Sequence, residues 1–291
     1  MRSLTIVDAL YAVLLSLIIL FSGCDASQVS VQIHPATAGS DPQGKIVFLA
    51  GRDSHLPGAH EHQAGSELLS SALRERRPGV ETINVYGGWP ADDTVFDDVA
   101  AVVMYCDGGD AHLINDHLAT FNRLINQGVG IVALHYCVEV PKDSLSATSM
   151  QSAIGGYFET GWSVNPLWTA NYTALPQHPV THGIRPFSLH DEWYFNMRFV
   201  HHGVTPILSA IAPPSTMERW NGPHSGNDAV RQLVRDSVPQ VTAWAYERPG
   251  GGRGFGYTGG HFHKNWDNAD ARELVLNAIE WVAKSPPADE N

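Results

Sequence analysis

The sequence predicts an α/β fold: a three-layer, doubly wound domain on a mostly parallel sheet. Short apolar runs such as Lys45–Ala50 and Gly130–Leu134 read as strands buried on both faces. Segments with helical periodicity alternate with them, the order expected of a sheet covered by helices on both sides. The 291 residues are 43% hydrophobic and 16% charged, which supports a large core and excludes a disordered chain.

Residues 1–23 read as an address preceding the fold. A weakly basic start at Arg2 leads into a nearly continuous apolar stretch from Ala9 to Phe21. That stretch is short for a bilayer span and suits a signal-peptide core. It closes on Leu20-Phe21-Ser22-Gly23-Cys24, which resembles a bacterial lipobox although Phe21 and Asp8 depart from the usual pattern. Lipidation of Cys24 is the favoured outcome, with a lipid-anchored or periplasmic place in the bacterial cell envelope. Simple secretion and an uncleaved anchor stay open. Residues 24–43, rich in Ser, Gln, Ala, Pro and Gly, read as a polar tether. The domain is expected over 44–285, with 286–291 a polar tail.

Within the domain, Lys45–Ala50 is the first strand and ends at Gly51. Ala64–Arg77 carries Leu68, Leu69, Ala72 and Leu73 on one stripe and stops at Pro78-Gly79, a helix followed by a breaker. Glu81–Tyr86 and Ala100–Tyr105 are the next strands. His112–Gln127 reads as a helix through Leu113, Leu118, Phe121, Leu124 and Ile125, with Gly128 at the C′ position. Gly130–Leu134 is the fourth strand. Pro141–Pro206 reads as a long irregular stretch rich in Trp, Pro and His that walls a pocket. Strands resume at Pro206–Ala210, Val241–Tyr246 and Gly254–Thr258, and Ala269–Ala283 is the closing helix.

Charge narrows the partners. Lys and Arg total 18 against 30 Asp and Glu, a formal net charge of −12, which argues against nucleic acid because phosphate is bound by basic patches. Histidine is the unusual component, at 15 residues. Ligands of doubly wound sheets bind beyond the carboxyl ends of the strands, and histidines and carboxylates gather there. The first strand leads into Ser54-His55 and His60-Glu61-His62, and the third into Cys106-Asp107 and His112. The fourth leads into His135-Tyr136-Cys137-Val138-Glu139, and the last into Gly260-His261-Phe262-His263.

Three chemistries fit these residues. The segment Gly130–Cys137 resembles the strand-to-helix elbow of class I glutamine amidotransferases, and Phe262-His263 resembles their strand-end Phe-His. Strand alignment, however, puts His135 at the nucleophile position, with Cys137 two residues further on and no flanking Gly. Cysteine-dependent amide hydrolysis therefore stands as an alternative beside a buried, structural Cys137. Cys106 and Cys137 read as buried thiols, with a disulfide open if the chain is exported. Metal binding is the second chemistry. His60-x-His62 and His261-x-His263 each set two imidazoles on one side of an extended segment. Ligands from separate strand ends, such as His135, His261 and Glu192 or Asp107, would form an open catalytic site for a divalent metal whose identity the spacing does not name. The third is acid–base work by His135, Glu192, His261 and His263 on a polyol. Pro249–Gly254 precedes a strand rather than opening a helix, so it is not a dinucleotide fingerprint. The tryptophans either stack on sugar rings or pack the long irregular segment.

A set of segments in order is similar to the ThuA-like (trehalose-utilisation) family. These are Lys45–Gly51, Gly130–His135, His178-Pro-Val-Thr-His-Gly183, Asp191-Glu192-Trp-Tyr194, Gly252–His261 and the helix ending near Trp281. The resemblance implies a class I glutamine amidotransferase-like (flavodoxin-like) fold without its nucleophile. It also implies a pocket lined by His135, Glu192 and His261, and processing of a small carbohydrate or keto-sugar. The resulting expectation assigns His135, Glu192, His261 and His263 to catalysis, and His60, Trp89, Asp107, His112 and Trp266 to substrate binding. A non-catalytic carbohydrate-binding lipoprotein is the rival.

Overall fold

The computed structural model describes residues 29–40 and 43–283; residues 1–23, expected to be a signal segment, and Cys24 lie outside them. Its strands are β1 (Ser30–His34), β2 (Lys45–Ala50), β3 (Glu81–Tyr86), β4 (Val99–Tyr105), β5 (Gly130–Leu134), β6 (Gly156–Tyr157), β7 (Leu167–Tyr172), β8 (Phe187–Glu192), β9 (Arg198–Phe199), β10 (Val204–Ala210), β11 (Gln240–Glu247) and β12 (Arg253–Tyr257). The α-helices are α1 (His62–Arg76), α2 (Leu118–Asn126), α3 (Leu145–Ile154), α4 (Asp228–Arg235) and α5 (Ala269–Ala283).

The main sheet has the order β1-β3-β2-β4-β5-β12-β11-β10. Its centre, β3-β2-β4-β5-β12, is parallel throughout. Numbered along the chain, those five strands run 2-1-3-4-5, the flavodoxin-like arrangement, whose ligand crevice lies where the first and third strands meet. The central strands are apolar at nearly every position because both faces are covered. One face packs Phe48, Val103 and Val132 against Leu69 and Leu73 of α1, Leu274 and Val275 of α5, and Trp168 and Tyr172 of β7. The other packs Val47, Val102 and Ile131 against Phe121 and Leu124 of α2 and Met150 and Ala153 of α3. This is the expected three-layer α/β fold.

Three regions differ from the sequence expectation. Ser30–His34, inside the segment read as tether, pairs antiparallel with β3. Its outer face stays wet, with Ile33 62% exposed, so an edge strand with few buried residues looks like linker in composition. The helix expected over His112–Gln127 begins only at Leu118. Its first turns are displaced because the His112 ring accepts from the Ile114 backbone N–H and also bonds the Cys137 carbonyl. The stretch Pro141–Pro206 is not irregular throughout. It holds α3, capped by Ser144, and the β7–β8 hairpin, in which Trp168, Ala170 and Tyr172 turn inward while Leu167, Thr169 and Asn171 face solvent.

Candidate metal centre

The turns after β2, β5, β8 and β12 converge beside the β2–β4 crevice. His60, His135, Glu192 and His261 each present one donor atom there, all within 4.8 Å of one another. His135 sits on the residue after β5 with φ +54°, the elbow position of the strand. Loop 58–60 pairs with 261–263 through His60 N–H to the His261 carbonyl at 2.9 Å and His263 N–H to the Gly58 carbonyl at 2.9 Å, which sets His60 beside His261. Gly260 makes the turn at φ +102°, a conformation that favours glycine. Its N–H and that of His261 donate to the buried carboxylate of Asp191 at 2.7 and 3.1 Å. Asp191 thereby fixes the end of β12 relative to β8, which carries the neighbouring Glu192. Burial pushes the Asp191 carboxyl upward, although the backbone donors oppose that shift.

The hydrogen bonds around the imidazoles determine where their lone pairs point. Thr258 offers His135 Nδ1 a carbonyl oxygen at 2.8 Å, and a carbonyl only accepts, so Nδ1 carries the proton. Burial, reinforced by His60, drives the His135 pKa well down, leaving a neutral ring whose Nε2 bears a lone pair. His60 Nδ1 lies 3.1 Å from Asp107 Oδ1, an acceptor, which turns its Nε2 inward. The two Nε2 atoms are 3.1 Å apart. When each ring carries its single proton on Nδ1, no hydrogen lies between the two Nε2 atoms and their lone pairs face each other. His261 Nδ1 is 3.0 Å from His60 Nε2 and 3.3 Å from Glu192 Oε2, while His135 Nε2 is 3.7 Å from the same carboxylate oxygen. Tetrahedral ligands with bonds of about 2.0–2.1 Å stand about 3.3–3.4 Å apart. Three imidazoles and a carboxylate at these separations fit a divalent cation.

The surroundings resemble an outer shell that orients ligands. Burial pushes Asp107 upward, but hydrogen bonds from His60 and Ser54, with nearby imidazoles, outweigh it and hold its pKa down. Ser54 Oγ donates to Asp107 at 2.8 Å, and Tyr194 Oη lies 3.3 Å from His135 Nε2. His55, at φ +69°, packs its ring against that of His60 with centroids 3.7 Å apart and planes tilted by 35°. His55, His60 and His135 are three of the non-glycine residues with positive φ, a conformation that costs about 1–3 kcal/mol each and clusters at functional sites. A cavity of about 500 Å³ lined by His55, Leu56, Pro57, His261 and Phe262 opens beside them, within the size range of small-molecule pockets.

Thus the structure brings together His135, Glu192 and His261. It places His60 among the donors rather than on the substrate side, with Asp107 behind it. His263 stands apart, its Nδ1 3.7 Å from Glu61 Oε2, because a 3-10 turn starts there and swings its side chain toward the start of α1. His112 is buried, with both ring nitrogens engaged by backbone, and burial lowers its pKa to about 4. Trp89 packs on Phe96 and stacks flat on His117 at 4.7 Å. Trp266 is buried between Tyr105 and Tyr257. Cys137 is fully buried with its Sγ 3.3 Å from His112 Nε2, and burial, then Cys106, pushes its thiol far up; it is no available nucleophile. Asp191, Tyr194 and Ser54 went unassigned in the sequence. The resemblance segment Asp191-Glu192-Trp-Tyr194 is the one signal that held two of them, Asp191 and Tyr194, together.

Comparisons with known proteins agree on the fold. A ThuA-like protein from Bacteroides uniformis is 16% identical, with a TM-score of 0.56 over 86% of this chain and 95% of its own. A second, from Parabacteroides merdae, is 15% identical, with a TM-score of 0.53 over 84% of this chain and 91% of its own. No curated protein matches the sequence. The family model ThuA, described as trehalose utilisation, matches residues 54–282, and on that match the chain belongs to the ThuA family.

Proposed function

We propose that this chain is an exported, lipid-anchored enzyme that processes a carbohydrate or keto-sugar by metal-assisted chemistry at the carboxyl edge of its sheet. The observation that carries the reading is the pair of lone-pair nitrogens, His60 Nε2 and His135 Nε2, facing each other at 3.1 Å with a third imidazole and a carboxylate alongside. Two such atoms repel unless a cation or a shared proton lies between them. The family's description as trehalose utilisation supports a sugar substrate, and the lipobox at Cys24 supports export.

His60, His135, Glu192 and His261 would hold a divalent cation, which would supply Lewis acidity toward a carbonyl or hydroxyl oxygen. The chain's own groups do the rest. Thr258 and Asp107 lock the ring orientations of His135 and His60, so the donors are set before any ligand arrives. Tyr194 Oη stands beside His135 and is held protonated, its pKa pushed well up by burial and then by Glu192; it can give a hydrogen bond to a substrate oxygen. The 500 Å³ cavity admits a sugar ring next to the donors. Sugar binding by aromatic loops alone has lost most of its platform, because Trp168, Trp193, Trp244 and Trp266 lie in the core.

The test is metal analysis of the purified protein with a screen of oxidised disaccharides. About one equivalent of divalent metal and turnover of a 3-keto-disaccharide, both lost in His135→Ala and His261→Ala, are expected. Tight sugar binding with neither metal nor turnover would replace the enzyme by a binding lipoprotein.

A further inference from the structure

A second polar constellation, centred on Glu139 and His224, has no part in the chemistry above. Glu139, four residues after the elbow histidine, is buried at 3% exposure. Its Oε1 accepts from Thr160 Oγ1 at 3.3 Å and pairs with His224 Nε2 at 2.8 Å, while Oε2 is buried without a partner. His224 belongs to the loop before α4, which the main chain pins in place: Asn165 N–H donates to the His224 carbonyl at 3.1 Å and Gly161 N–H to that of Pro223 at 2.6 Å. The imidazole stacks on Phe158 with centroids 5.4 Å apart. Among the described residues no hydrogen bond occupies its Nδ1, and its side chain is 37% exposed.

Aromatic contacts link this pair to the metal-ligand site. The Phe158 ring that carries His224 also meets Tyr194 at 5.4 Å, and Tyr194 lies against His135 at 4.8 Å. On the other side the Tyr136 ring sits 5.9 Å from that of His60, and its hydroxyl and Glu139 Oε1 both border Gly109. Glu192 and Arg219 are close enough to His224 to act on its charge.

We propose that His224, oriented by the buried Glu139 carboxylate, is the proton donor to a substrate oxygen bound at the His60–His135–His261–Glu192 site. A buried acid that binds one imidazole nitrogen and leaves the other free is the arrangement that fixes a histidine for proton transfer. Isomerisation, hydration or cleavage of a keto-sugar each moves a proton onto an oxygen. His224 Nδ1–H gives that proton and is recharged from water at its exposed edge. Its protonated form is favoured, first by the hydrogen bond to Glu139 and against the opposing effect of burial, with Glu192 helping and Arg219 opposing. Glu139 is a positioning residue, acting through His224. The assignment rests on the metal-assisted reading above.

The experiment follows the imidazole directly. NMR of full-length protein with ¹³Cε1-labelled histidine, assigned with His224→Gln, gives the His224 titration without metal. It is expected above the ordinary value of 6.5 and to fall below that of the native protein in Glu139→Gln. Added cobalt(II) alone should shift the His224 resonance, and should not in His135→Ala. On a 3-keto-disaccharide, His224→Gln should lose about 100-fold in kcat with KM and metal content kept, and Glu139→Gln should displace the pH limb that His224 governs. A His224 titration at or below the ordinary value, no response to bound cobalt, or full turnover by His224→Gln would overturn the proposal. If cobalt does not bind, the metal reading fails and the proposed donor loses its acceptor site. If cobalt binds but keto-sugars are not turned over, the proposed substrate fails while the titration and cobalt response still decide whether His224 is a protonated group facing that site.

Discussion

Two constellations of metal-ligating residue types lie at the carboxyl edge, and they differ in which atoms their surroundings leave unsatisfied. His60, His135, Glu192 and His261 hold one donor atom each within 4.8 Å, and so do Cys106, His112 and Cys137. In the first, backbone and Asp107 take the outward nitrogens of His60 and His135, so lone pairs remain on the inward ones. In the second, His112 spends one nitrogen on the Cys137 carbonyl and the other on the Ile114 N–H. Burial keeps the Cys137 thiol protonated. Proximity of histidine, cysteine and carboxylate does not make a site; what matters is which atoms the surrounding backbone leaves unsatisfied, and whether they point at one another.

The contrast can be broken at several points. The largest effect belongs to the donors: His60→Ala or Glu192→Gln should weaken zinc binding by at least about 100-fold. Cys106→Ser and Cys137→Ser should leave it unchanged, as isothermal titration would show. Next is acid stability. Burial holds the folded His112 pKa at about 4 against 6.5 for an ordinary histidine, so between those values the unfolded chain takes up a proton that the folded chain refuses. Stability from this group is intact above pH 6.5 and falls by about 3 kcal/mol as pH drops to 4. Urea unfolding of metal-free protein at pH 7 and pH 4.5 should show at least that loss, since burial also lowers His135 and His62, and His112→Asn should remove the His112 share of it. A smaller effect is expected behind the ligands, where Asp107→Asn frees the His60 ring and should cost about 10–100-fold in metal affinity. The smallest concerns the thiols: in native protein neither should react with a disulfide reagent over minutes, and both should react after unfolding. Fast labelling of Cys137 would return cysteine chemistry to consideration.

Much of this was legible in the sequence, and the misses have physical reasons. The strands Lys45–Ala50, Glu81–Tyr86 and Gly130–Leu134 and the helix Ala269–Ala283 were readable to the residue, because a strand or helix buried along its length has to be apolar at predictable intervals. The β7–β8 hairpin was missed although its inward Trp168, Ala170 and Tyr172 alternate, because Pro, His and Trp around it obscured the period. His135 and His261 were legible as strand-end residues, and Glu192 through the Asp191–Tyr194 segment of the family resemblance. His60 was noticed but given another role, since only the pairing of loop 58–60 with 261–263 places it among the donors. His112 and Trp266 show the converse: a strand-end position does not tell whether a side chain turns into the crevice or down into the core. His224 sits in a loop before α4, far from any central strand in sequence, and nothing local marks it.

The central claim is most directly tested by X-ray absorption on zinc-loaded protein. Four nitrogen and oxygen scatterers near 2.0–2.1 Å, with the outer-shell pattern of imidazole and no sulfur, are predicted. Sulfur scatterers near 2.3 Å, or no zinc retained after dialysis, would contradict it.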